Sequence, residues 1–138
     1  MILVSACLTG KNCKYNGKNN KCDKVIDFLK DKEYTEICPE CMGGMSVPRI
    51  PSEICGNKVI SKNGEDVTSY FLKGAEKTVK IAKSHKNVTA ILKQGSPSCG
   101  FGRICDGTFT GTKIKGMGVT AKALNELGIT ILTEEDFA

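Results

Sequence analysis

The 138-residue chain is expected to form a single α/β domain over residues 1–138, with a mainly parallel sheet flanked by helices in a three-layer, Rossmann-like arrangement. Three observations predict this. Short apolar runs rich in β-branched residues alternate with segments whose apolar residues recur at helical spacing. A hydrophobic content of 40% is enough for a chain of this length to bury one core without covalent staples. No internal repeat, low-complexity tract or linker divides the sequence.

The opening MILVSA reads as a buried strand, with Cys7 just past its end. CLTGKNCKYNGKNN is a turn-rich loop, after which Val25, Ile26, Phe28 and Leu29 mark a helix reaching about residue 30. YTEI, Tyr34–Ile37, is a second strand, and Cys38 follows it directly. Residues 39–57 hold three of the four prolines and three glycines, so they are expected to form a long irregular connection, a kind of segment that is often functional. A brief strand is expected at Lys58–Ser61. Asp66 caps a helix whose Val67, Tyr70, Phe71, Ala75, Val79 and Ala82 fall along one face, ending near residues 83–85. Residues 87–93 are a third core strand, 120–127 a helix stopped by Gly128, and 129–132 a last strand.

No apolar stretch approaches the roughly 20 residues of a membrane span, and residues 1–6 lack the pattern of a cleaved leader. The expectation is a soluble, cytoplasmic protein. Eight cysteines then need an explanation other than disulfides, because a reducing compartment removes the usual reason for such density. The net charge of +5 comes from dispersed lysines, with no basic run and no aromatic interleaving. That favours small anionic ligands over a stable nucleic-acid partner.

Loops leaving the carboxyl ends of parallel strands gather on one edge of the sheet, where ligands bind. Cys7, Cys38 and Cys99 each lie on such a loop after three different strands, so residues far apart in sequence converge. Thiolates suit zinc, copper(I) and iron-sulfur clusters. Zinc sites are usually local, with paired C-x-x-C knuckles, and only Cys38 and Cys41 have that spacing. A thioredoxin-like redox pair is disfavoured by the Pro-Glu between those cysteines and by the absence of a helical pattern after Cys38. Three dispersed cysteines among the small residues of SPSCGFG and MGG suit an iron-sulfur cluster better, because backbone N–H groups can approach the sulfides. Three protein thiolates on four irons leave one iron open, and an open position marks a catalytic metal site.

The motifs VSACLTG, CPECMGG, VPRIPSEI, GEDVT, LKQGSPSCG, DGTFTG and GMGVTAKAL, in this order, resemble the thiouracil desulfidase family from about Ile2 to the C-terminal strand. The resemblance implies a 4Fe-4S cluster held by three cysteines, matched here by Cys7, Cys38 and Cys99, with the fourth iron free. It also implies non-redox removal of sulfur from 4-thiouracil, 2-thiouracil or 4-thio-UMP, a small free base or nucleotide being expected for a chain without an added domain. The expected chemistry is Lewis-acid activation of a thiocarbonyl, attack of water on the ring carbon and loss of hydrosulfide. Three departures from the family pattern stand out: ACLTG for ACLLG, CKYNG for CRYDG, and cysteine at position 41.

Within that reading, Glu40 is the candidate acid/base group, and Ser96 is a hydrogen-bond partner for the base or the water. Tyr15 is placed to stack on a pyrimidine or to sit half-buried in the core, and Arg49 and Glu53 either serve the site or pin the Pro-rich loop. Lys113 and Lys115 precede an expected helix start, where a phosphate would be received. Cys13, Cys41 and Cys105 are possible competing ligands or site-lining thiols, while Cys22 and Cys55 read as structural. Asp106 fits a turn, and His85 fits a helix C-terminus, which leaves a Ser-His-Asp hydrolase without support. Two readings of other classes stand beside the desulfidase: a zinc-stabilised binding module, and an iron-sulfur sulfur carrier or transferase.

Overall fold

The structure, a computed structural model, describes residues 1–137. Its centre is a four-stranded parallel sheet of β1 (Ile2–Ser5), β2 (Tyr34–Ile37), β5 (Thr89–Leu92) and β8 (Thr130–Thr133) in the order β2-β1-β5-β8. Because both faces of the central strands are covered, β1 and β5 are buried almost throughout, whereas the edge strands β2 and β8 carry polar, partly exposed residues. Leu3, Ala90 and Leu92 pack with Ala82 of α3 (Thr68–Lys83) and with Ala121 and Leu124 of α4 (Val119–Glu126). Ile2, Val4 and Ile91 face the other way, onto Val25 and Leu29 of α1 (Asp23–Leu29). The period of two along each strand thus divides one run of sequence between two cores. The expected α/β architecture with helices on both faces of a parallel sheet is the one observed.

Register places the carboxyl ends together. Ser5 pairs with Ile37, and Val4 with Ile91, so the chain leaves β1, β2 and β5 at one edge. Beyond β1, a 3-10 turn (Ala6–Thr9) carries Cys7, closed by Gly10 at a φ of 102°. Among the described residues, no helix is long and apolar enough to cross a membrane.

Several segments differ from the sequence expectation. The connection over 39–57 is not wholly irregular: α2 (Pro39–Met42) begins directly after Cys38, with Pro39 in its first turn, and β3 (Ser52–Cys55) pairs antiparallel with β4 (Lys58–Ser61). The expected absence of helix after Cys38 is therefore corrected, because a proline at the first helical position starts a turn too short to show a period. Residues 101–117 form a second hairpin, β6 (Phe101–Cys105) with β7 (Lys113–Met117). The N-cap of α3 is Val67, without a side-chain cap, so the expected Asp66 cap is corrected: Asp66 stands one residue earlier, its Oδ1 accepting the Thr68 N–H at 3.0 Å in the turn that leads into the helix. The buried stripe of α3 runs through Phe71, Gly74, Ala75, Thr78 and Ala82, while Tyr70 is left exposed.

The stripe shifts because α2 docks on α3 at backbone distance. A Cβ on Gly74 would stand 1.9 Å from the Pro39 carbonyl oxygen, and one on Gly43 would stand 1.9 Å from that of Tyr70. At an exposed helix position, Gly→Ala stabilises by roughly 0.5–1 kcal/mol. Here the backbone of α2 has to move, and overpacking of this kind costs about 1–3 kcal/mol. Gly74→Ala is expected to lower the melting temperature by several degrees, as thermal unfolding followed by circular dichroism would report; a raised midpoint would mean that the α2–α3 contact yields freely.

Candidate active site

The three strand-end cysteines line one cavity of about 430 Å³, within the roughly 300–1,000 Å³ of small-molecule sites. Cys7 comes from the 3-10 turn after β1, Cys38 from the junction of β2 and α2, and Cys99 from the loop after β5. Topology alone brings them together, since β2, β1 and β5 are neighbours running the same way. Cys13 and Cys105 line the cavity as well, whereas Cys41 does not and meets the Arg49 guanidinium at 3.7 Å. Among the described residues, no three His, Cys, Asp or Glu side chains converge closely enough to hold a single metal ion. The three strand-end thiols share one cavity with those of Cys13 and Cys105, a set of soft donors.

The loop after β5 is held in place by the start of α4. Its first N–H groups are taken internally, Val119 donating to the Pro97 carbonyl at 2.9 Å, and Thr120 and Ala121 to that of Ser98 at 2.9 and 3.1 Å. Gly118 makes this approach possible, since a Cβ there would stand 2.4 Å from the Ser98 carbonyl carbon. The placement of Lys113 and Lys115 at a phosphate-binding helix N-terminus is thereby corrected. Both lie on β7, the helix N–H groups are already occupied, and only Lys113 lines the cavity.

Glu40, on α2, is anchored at both oxygens. Arg49 Nε–H donates to Oε1 at 3.1 Å, and the Ser98 hydroxyl donates to Oε2 at 2.9 Å. Arg49 is itself buried, with further bonds to the carbonyls of Cys13 at 2.9 Å and Ser46 at 3.1 Å, and its own N–H meets the Tyr15 carbonyl at 2.8 Å. It therefore pins the Pro-rich segment and orients Glu40 together. Ser96 Oγ accepts the N–H groups of Cys99 at 2.9 Å and Ser98 at 3.1 Å and lies 2.9 Å from Ser98 Oγ. A polar chain Arg49–Glu40–Ser98–Ser96 thus runs along the wall beside Cys99. Ser98, only 2% exposed, is the member of this chain that the sequence reading did not single out; the S-x-S-C spacing was its only trace.

Burial pushes the Cys99 thiol up to about 12 and also raises Cys7. Cys38 is shifted the other way, first by a hydrogen bond from the Cys13 thiol, with burial opposing and Cys41 and Arg49 assisting. Cys13 is correspondingly raised by the same hydrogen bond. Two of the four remaining cavity cations are paired: Lys93 with Glu134 at 2.9 Å, and Arg103 with Glu135. Lys113 instead meets the Cys105 thiol at 2.9 Å, and Lys14 lies over the Tyr15 ring at 5.8 Å. Tyr15 lines the cavity and is 40% exposed, so it is a wall residue and not a core one. His85 lies just past the Ser84 C-cap of α3, its Nδ1 3.1 Å from the Ile81 carbonyl, and Asp106 Oδ1 accepts the Thr108 N–H at 3.0 Å in a turn.

The chain matches the family described as 2-thiouracil desulfurase over residues 2–136. It is 42% identical over 146 residues to YbbK of Bacillus subtilis (strain 168), an uncharacterized protein, with 99% of this chain and 97% of that protein covered. A solved structure of TudS, a 4Fe-4S-dependent thiouracil desulfidase, is similar with a TM-score of 0.89 and 38% identity, covering 98% of this chain and 91% of that one. A match across nearly every residue, with the same fold, shows that the chain belongs to the 2-thiouracil desulfurase family.

Proposed function

We propose that the chain is one desulfidase unit over residues 1–138, converting a thiolated pyrimidine and water to the oxo base and hydrosulfide with the aid of a 4Fe-4S cluster. The observation that carries this reading is the meeting of Cys7, Cys38 and Cys99, from three adjacent parallel strands, in one cavity whose wall holds the Glu40–Ser98–Ser96 chain. Family membership and the 4Fe-4S dependence of the TudS relative support it. Five cysteines line the cavity, so the donor set fits a soft cluster. Cys7, Cys38 and Cys99 would hold the cluster; when bound, it supplies a Lewis-acidic iron, free of protein thiolate, toward a thiocarbonyl sulfur.

The chain's own residues supply positioning and proton transfer. Glu40 takes a proton from the water that attacks the ring carbon, and Ser98 and Ser96 keep its Oε2 directed along the wall. Arg49 holds the other oxygen, so the carboxylate does not swing away. The C–S bond breaks with both electrons going to sulfur, so no oxidant or reductant is consumed. Tyr15 offers a ring face for a pyrimidine. For 4-thio-UMP, Lys113 and Lys14 line the cavity with no carboxylate partner among the described residues and would meet the phosphate.

Protein purified without oxygen is expected to contain about four irons and four sulfides per chain and no stoichiometric zinc. It should release uracil and hydrosulfide in equal amounts from 4-thiouracil, as chromatography and sulfide determination would show. Zinc without sulfide would leave the binding module standing, and sulfur released only in the presence of an acceptor would make the protein a carrier.

A further inference from the structure

We propose that Glu53 is a substrate-reading residue, whose second carboxylate oxygen accepts the N3–H of the bound pyrimidine. The identity of the ligand rests on the desulfidase reading above; the role of the residue rests on its surroundings. Glu53 lies on β3, lines the cysteine cavity and is only 9% exposed. Its Oε1 accepts two backbone N–H groups from the turn between β6 and β7, Gly107 at 2.9 Å and Phe109 at 3.1 Å. No hydrogen bond reaches Oε2, and no cation stands at ion-pair distance, among the described residues. Every other carboxylate or guanidinium of the cavity wall is paired.

A turn is pinned by one acceptor oxygen, and a neutral amide would supply it without burying a charge. A carboxylate kept nine-tenths buried, with one oxygen idle, therefore calls for a donor from outside the protein. Ser52, the preceding residue, lines the same cavity, and its buried hydroxyl has no partner. Thiouracils carry ring N–H donors at N1 and N3, and a nucleotide keeps only N3–H. An acceptor that serves both the free base and the nucleotide must read N3–H.

The discriminating probes are uracil, 1-methyluracil and 3-methyluracil, titrated calorimetrically into anaerobically purified holoprotein, with KM for 4-thiouracil measured in parallel. Wild type is expected to bind uracil and 1-methyluracil roughly 10- to 100-fold more tightly than 3-methyluracil, the range for a hydrogen bond to a charged group. In Glu53→Gln the two N–H donors hold the amide oxygen at the Oε1 position, so the NH₂ group replaces Oε2 and opposes N3–H. That variant should lose the preference for uracil over 3-methyluracil and raise KM to a similar degree, with iron content and melting temperature unchanged. The wild-type comparison needs no variant, so the proposal survives or falls even if Glu53→Gln misfolds. Equal binding of uracil and 3-methyluracil overturns it, as does a well-folded Glu53→Gln with wild-type KM. If wild type desulfurates 4-thiouracil while either of those results is found, only this inference fails; if it neither binds nor desulfurates a pyrimidine, the functional reading fails and takes this inference with it.

Discussion

Cys99→Ser is expected to abolish cluster binding, leaving little iron or acid-labile sulfide on the anaerobically purified protein and lowering desulfurase activity by more than about 100-fold, since changes in outer-shell partners alone cost 10- to 100-fold at metal sites. Serine is a hard oxygen donor in place of a soft sulfur, and Cys99 is nearly buried, so no water or neighbouring group can substitute for it. The surrounding loop should remain folded, because Ser98 and Pro97 keep their bonds to α4 in the variant. Cys7→Ser and Cys38→Ser should behave alike. Cys13→Ser and Cys105→Ser are the controls, expected to retain near-normal iron although both residues line the cavity. If Cys13→Ser lost iron as completely as Cys99→Ser, the three-cysteine set would be wrong and the thiol beside Cys38 would belong to it.

The convergence of Cys7, Cys38 and Cys99 was legible because each follows a strand of an alternating α/β pattern, most plainly the apolar runs of β1 and β5. Leu3, Val4, Ala90 and Ile91 are fully buried, and burial on both faces is what makes such a run continuous. The hairpins were not legible for the opposite reason. In β6 and β7 most residues are exposed or half-exposed, with little period-two contrast, and Gly102 at a φ of 108° and Gly116 read as turn residues. The close approach of α2 to α3 was hidden too, since Gly43 and Gly74 look like weak helix positions until the partner backbone is placed against them. At the site, Glu40 and Ser96 could be nominated from their spacing to cysteines. Ser98 could not be separated from an ordinary loop serine, because its role depends on a carboxylate 58 positions away. The error over Lys113 and Lys115 has the same origin: sequence places them before a helix, but only structure shows that the helix N–H groups are taken by residues 97 and 98.

Glu40→Gln should lower kcat by roughly 10²- to 10⁴-fold, the range for a positioned acid/base group, while iron and sulfide stay at wild-type levels. In glutamine the amide oxygen still accepts the Arg49 Nε–H, while the NH₂ group takes the Oε2 position and donates to a Ser98 hydroxyl turned to accept, so the chain keeps its contacts with one bond reversed and the basic function is lost. The change does remove the charge that faces Arg49, whose side chain is only 6% exposed. Arg49 retains the carbonyls of Cys13 and Ser46, so the stability cost should be about 1–3 kcal/mol, that of weakening a charge-assisted hydrogen bond, and not the larger penalty of an orphaned buried ion. Single-turnover kinetics on variants matched for iron content separate the two effects, and the pH dependence of kcat adds a test that a purely structural role would not meet. A base that must be deprotonated gives wild type a rising acidic limb, and that limb should vanish in Glu40→Gln. Ser98→Ala should retain the limb with a partial loss of kcat, because the carboxylate is then present but held at one oxygen. Wild-type kcat in Glu40→Gln would reduce Glu40 to an anchor for Arg49 and would require the attacking water to be deprotonated by another group on the cavity wall.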